Sequence, residues 1–130
     1  MFFNQDFNKR FHSKIASESE CFSLLLWLEN HGGISGIIDK FKQHNLQRSV
    51  NSWLEDGENF RLYPEQIFTI INADELDDLA IECDTTLLGA AKLLASAFPR
   101  LVDAMSEHGH LRLPPEKDFV ATGIDVLCQA

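Results

Sequence analysis

Few side chains in this sequence stand at spacings that could do chemistry, and each such group has a plainer reading beside it. Glu107-His108-Gly109-His110 places two imidazoles two residues apart, next to a carboxylate. A structural or catalytic zinc needs three or four ligands around one point, and no further His, Cys or acid is spaced to complete the set. The segment reads as a polar turn after a helix, and no metal is expected. The carboxylates Asp74, Glu75, Asp77, Asp78, Glu82 and Asp84 lack the D-x-D-x-D-G loop and the bidentate Glu of a calcium site. They read as a solvated helix face. Gly32-Gly33 with Gly36 has neither the strand context nor the Lys-Ser/Thr of a phosphate loop. There is no G-x-S-x-G, H-E-x-x-H or C-x-x-C. No catalytic residue and no cofactor are therefore expected. Triads do assemble across long sequence distances, so a small enzyme of unassigned class stands as a third reading.

Three segments suit binding better than catalysis. Lys40, Lys42, Gln43, His44, Asn45, Gln47, Arg48 and Asn51 form a basic, amide-rich patch. Such side chains contact phosphates and base edges in helix-turn-helix readers, and two short helices over 34–54 would fit that motif. Lys40, Lys42, Arg48 and Asn51 are the residues a DNA-binding regulator would use. The second segment is Trp53, Gly57, Glu58, Asn59 and Phe60. It reads as a core Trp and a turn needing positive φ, or as a recognition loop on a rigid frame. In the third, Phe3, Phe7, Phe11 and Ile15 recur every four residues, which stacks them on one face of an amphipathic helix. That stripe either docks on the domain or binds a partner groove or membrane surface.

The elements that must position these groups are helical throughout. After the N-terminal stripe, Ser17 with Glu20 forms a capping box opening a helix that carries Phe22, Leu24, Leu25, Leu26, Trp27 and Leu28. It is apolar nearly all round, so it is expected to be central and buried. Gly32-Gly33 ends it. Ile34, Ile37, Ile38 and Phe41 mark the next helix, Asn45 a left-handed break, and Leu46, Val50, Trp53 and Leu54 another helix. Periodicity lapses from Glu55 to Tyr63, and Pro64 then opens a helix with Ile67, Phe68, Ile70 and Ile71. Asp74 is expected to cap a helix bearing Leu76, Leu79, Ala80 and Cys83. The longest helix starts near Thr85 or Thr86 and runs along Leu87, Leu88, Ala91, Leu94, Ala95, Phe98, Leu101, Val102 and Met105. Pro99 inside it is expected to kink or break it. Gly109 stops that pattern, and Pro114-Pro115 opens a last helix with Phe119, Val120, Ile124, Val126 and Leu127. No stretch alternates with period two, so no sheet is expected. The fold class is all-α, a compact bundle of seven or eight short helices.

Length and charge narrow the function further. The 130 residues fit one domain, divided as an amphipathic helix over 1–16, a core over 17–113 and a C-terminal helix over 114–130. An apolar fraction of 45% is that of a globular protein. The net charge is −9, which repels nucleic-acid backbones and anionic lipid alike. Residues 1–17 run against that balance, with Lys9, Arg10 and Lys14 against Asp6 alone. Cys21, Cys83 and Cys128 are far apart in sequence and set among apolar neighbours, so they read as buried reduced thiols of a cytosolic protein. No apolar run reaches the ~18 residues of a membrane span, and no signal peptide is evident over residues 1–20. A cytoplasmic location is expected.

Gly33-Ile34-Ser35-Gly36-Ile37-Ile38-Asp39-Lys40-Phe41, then Leu46 through Val50 to Ser52-Trp53-Leu54, then Gly57-Glu58-Asn59 and Pro64-Glu65-Gln66-Ile67 occur in an order that resembles the YidB-like family of bacterial proteins. Leu93-Leu94-Ala95 to Phe98-Pro99, Val102-Asp103 and Gly109 complete the pattern, over about residues 20–127. Asn45 departs from the glycine that family often has, and His108 from a proline. The resemblance implies an all-α fold with a homeodomain-like arrangement of some helices. It implies no activity and no site residue. The leading expectation is thus a non-catalytic interaction module that engages a protein partner or itself, with no small-molecule substrate in view. Its contact surfaces would be the Phe3 stripe and the loop at Gly57.

Overall fold

Most helix starts follow from the caps. In the computed structural model, which describes residues 16–128, α1 spans Glu18–Asn30. The Ser17 hydroxyl accepts from the Glu20 N–H while the Glu20 carboxylate accepts from the Ser17 N–H, a capping box that satisfies two otherwise orphan donors. Gly32, at φ 97°, turns the chain in the left-handed region that a Cβ would penalise. The helix α2 covers Gly33–Gln43 and α3 covers Gln47–Leu54, separated by Asn45 at φ 65°. Pro64 is the first residue of α4 (Pro64–Ile70). Next come α5 (Ala73–Glu82) and α6 (Leu87–Ala104), the latter capped by the Thr86 hydroxyl accepting from the Gly89 N–H. A 3₁₀ turn over Glu116–Asp118 leads into α7 (Phe119–Cys128).

The centre of the molecule is α6, which packs on α3, α4, α5 and α7. Three fully buried rings meet there: Phe41 of α2, Trp53 of α3 and Phe98 of α6. All three pairs are edge-to-face, with centroids 5.7, 5.3 and 6.0 Å apart, the arrangement aromatic quadrupoles prefer. Leu24, Leu25 and Leu28 of α1, Ile37 of α2, Leu76 and Leu79 of α5, and Leu94 and Leu101 of α6 extend one continuous core. The most extensive pairing of helices is α1 on α7. Gly123 permits it, because a Cβ there would overlap the Leu25 side chain.

Four expectations are corrected. The helix α1 is not buried all round: Phe22 is 47% and Leu26 38% exposed. Since α6 holds the centre, α1 lies at the edge, with α2, α5 and α7 covering the rest of its circumference. The cap of α5 is Asn72, whose side-chain oxygen accepts from the Asp74 N–H at 2.7 Å, so Asp74 lies inside the first turn. Pro99 does not break α6, which runs on to Ala104; the packing that surrounds this helix outweighs the loss of one backbone bond. A short antiparallel ribbon joins β1 (Ser106–Glu107) to β2 (His110–Leu111). His108 at φ 55° and Gly109 at φ 81° form its turn, with the two successive left-handed residues that two-residue hairpins favour. Strands of two residues are too short to show alternation in a sequence. The fold is otherwise all-α, with seven α-helices among the described residues. None of them is long and apolar enough to cross a membrane. The stripe Phe3, Phe7, Phe11 and Ile15 lies outside the described residues.

Candidate binding groove

The segment over residues 55–63 has no regular structure, yet α3 holds it in place. Trp53 is fully buried, so it is not a contact residue of an exposed loop. Its indole N–H donates to the Phe60 carbonyl at 2.8 Å. The Ser52 hydroxyl accepts from the Phe60 N–H at 2.9 Å and donates to the Ser49 carbonyl at 2.6 Å. Both backbone groups of Phe60 are therefore tied to α3, while its ring stays 49% exposed. Gly57 supplies the bend at φ 121°, a conformation side chains rarely adopt, and Glu58 is exposed. Of the five residues singled out in this loop, Trp53 and Gly57 set the backbone, while Asn59 and Phe60 reach a groove.

That groove runs between the loop and α6. One wall is Asn59, Phe60, Arg61, Leu62 and Pro64; the other is Lys92, Ala95, Ser96, Pro99 and Arg100. It holds about 600 Å³, within the range of small-ligand and peptide clefts. Among the described residues three cations line it and no carboxylate does, although the chain carries 20 acids against 11 Lys and Arg. Arg61 lies over the Tyr63 ring at 5.1 Å, a cation–π contact that steadies the guanidinium. Arg100 donates to the Val126 carbonyl at 3.2 Å, which anchors that side chain to α7. Acceptors are present too. Pro99 has no N–H, so the Ala95 carbonyl lacks the partner that a helix normally gives it. Asn59 Oδ1 is buried with no hydrogen-bond partner among the described residues. An isolated buried acceptor of this kind is costly.

The basic patch over 40–51 is differently surrounded. Lys40 Nζ lies 4.0 Å from a Glu75 carboxylate oxygen. Arg48 shares a shallow cleft with Glu55, Asp56 and Glu58. Lys42 and Asn51 share another with Asp39, Gly109 and His110. Each cation of the patch thus has a carboxylate in its own surroundings. Nearby, burial and then the charge of Asp56 raise the Asp103 carboxyl above its usual range. Among the described residues no three His, Cys, Asp or Glu side chains come together as a metal-ligand set.

Arg61, Lys92, Ser96 and Arg100 are absent from the sequence-based selection. A signal for three of them exists: Lys92, Ser96 and Arg100 recur every four residues on one face of α6. Nothing in the sequence pairs that face with Asn59–Leu62, because the contact is made by the fold.

Comparison with known proteins fits this architecture. A family model described as YidB-like protein matches residues 16–116. The chain is 26% identical over 106 residues to the uncharacterized protein YidB of Escherichia coli (strain K12), covering 81% of this chain and 80% of that one. Its fold is similar to a solved structure of a homeodomain-like protein of unknown function from Shigella flexneri. That likeness has a TM-score of 0.71 and 23% identity, and covers 97% of this chain and 96% of the other.

Proposed function

Since the chain belongs to the YidB-like protein family, we propose that this helical frame is a non-catalytic protein-interaction module, and that it takes an acidic peptide segment of a partner into the groove between the 55–63 loop and α6. The observation that carries this reading is the convergence of Arg61, Lys92 and Arg100 on one groove where no acid is found among the described lining residues. A protein of net charge −9 repels anions in general, so a local basic groove selects by position as well as by charge. The cations suit carboxylates. The exposed Phe60 suits an apolar side chain at the rim. Among the described residues no His, Asp or Glu lines the groove beside the Ser96 hydroxyl, which favours binding over acid–base chemistry.

Fluorescence anisotropy with labelled Glu-rich peptides carrying one aromatic residue tests the proposal. The expected result is binding that falls at least about tenfold, or 1.4 kcal/mol, in a protein carrying both Arg61→Glu and Lys92→Glu. A matched Lys-rich peptide is expected not to bind. Unchanged binding by the doubly substituted protein, with an unchanged melting temperature, would overturn the proposal.

The DNA-regulator reading draws on the shape of α2, Asn45 and α3 and on Lys40, Lys42, Arg48 and Asn51. The carboxylates of Asp39, Glu55, Asp56, Glu58 and Glu75 around those residues weigh against it, since a DNA-reading surface presents a concentrated basic face.

A further inference from the structure

The three cysteines, scattered in sequence, are all buried, and two of them touch. Cys21 Sγ, in the first turns of α1, lies 2.8 Å from Cys128 Sγ at the end of α7. Both sulfurs face the Ala16 carbonyl, at 3.9 and 3.8 Å. They sit on the two helices that pair most extensively, so the surrounding backbone already holds them together. A disulfide bond is about 2.05 Å long, so the two sulfurs need to approach by less than about 1 Å. Cys83 belongs to a neighbouring contact, its Sγ 3.9 Å from the Glu20 carbonyl.

We infer that Cys21 and Cys128 are an oxidisable pair, and that a peroxide joins them into an intramolecular disulfide clamping the start of α1 to the end of α7. Cys128 is 8% exposed and Cys21 not at all, so the Cys128 sulfur meets the oxidant first. Its thiolate attacks one oxygen of hydrogen peroxide; the O–O bond breaks, the other oxygen leaves as water after protonation, and Cys128 becomes a sulfenic acid. The Cys21 sulfur then attacks the Cys128 sulfur. The S–S bond forms as the S–O bond breaks, and the Cys21 proton leaves with the departing hydroxyl as a second water. Two thiols are oxidised by two electrons and one peroxide is reduced. Burial, and next the hydrogen bond to Cys128, push the Cys21 thiol up to about 12, so its proton stays on sulfur until the S–S bond forms. The bond closes a loop between positions 107 apart, restricting the unfolded chain most strongly because the loop is long.

The test treats the purified full chain with hydrogen peroxide, blocks remaining thiols, and maps linked peptides by mass spectrometry without reductant. A Cys21–Cys128 linked peptide is expected in a monomeric protein, with Cys83 blocked. The melting temperature should rise by roughly 5 °C or more and return on adding dithiothreitol. Cys128→Ser should lose both the link and the rise, and Cys83→Ser should keep both. Three outcomes would overturn the inference: all three cysteines blocked and no link, a link through Cys83 instead, or a Cys21–Cys128 link formed only in denaturant.

Discussion

Trp53 has two jobs that its place in the sequence does not separate. Its ring closes the aromatic triad with Phe41 and Phe98, and its N–H fixes the Phe60 carbonyl. Trp53→Phe keeps an apolar ring but leaves that carbonyl without its donor. We expect a loss of about 1–3 kcal/mol in denaturant melts, together with faster amide exchange over 58–62; unchanged values for both would remove Trp53 from its positioning role. Asp103 works in the opposite sense. Burial and Asp56 raise its folded pKa above the unfolded value, so the folded chain binds the proton more tightly. Stability therefore falls as pH rises through that window, and Asp103 is a liability at neutral pH. Asp103→Asn is expected to stabilise by at most about 0.5 kcal/mol at pH 7, because the carboxyl is only partly buried and the rest of the residue is exposed to screening solvent. Urea melts should show the gain disappearing toward about pH 3, where both forms are neutral. At this scale the sequence was informative wherever backbone geometry demanded a residue type: Asn45 and Gly57 at positive φ, Pro64 and Thr86 at helix starts.

Elements were legible where their signal is local and less so where a neighbour decides. Ser17 with Glu20 announces α1 because the capping box is complete within four residues. The burial of α1 is another matter: Phe22 and Leu26 look like core residues in the helical pattern and are exposed because no element among the described residues covers that side. Pro99 has the same lesson, since a helix held by four neighbours tolerates a residue that would end an isolated one. The closeness of α1 and α7 rests on Gly123, which no pattern reveals. Gly123→Ala improves helix propensity by about 1 kcal/mol, yet its Cβ would collide with Leu25. A net loss of about 1–3 kcal/mol is expected. Thermal melts showing a gain instead would mean that α1 and α7 have room to part.

At the scale of the whole molecule, charge and groove have to be read together. The total of −9 describes the field a distant partner meets, whereas a docked segment meets Arg61, Lys92 and Arg100. The sequence shows the first directly. It shows the second only in halves, as the Lys92, Ser96, Arg100 spacing and as the irregular stretch before Pro64, because long-range packing joins them. The same limit hides the thiol pair, whose members stand near opposite ends of the chain. The most direct measurement is a titration of isotope-labelled protein with the Glu-rich peptide, followed by amide NMR. Shifts are expected to concentrate at Asn59, Phe60, Arg61, Lys92, Ser96 and Arg100. Shifts confined to Lys40, Lys42, Arg48 and Asn51, or none at millimolar peptide, would contradict binding in the groove.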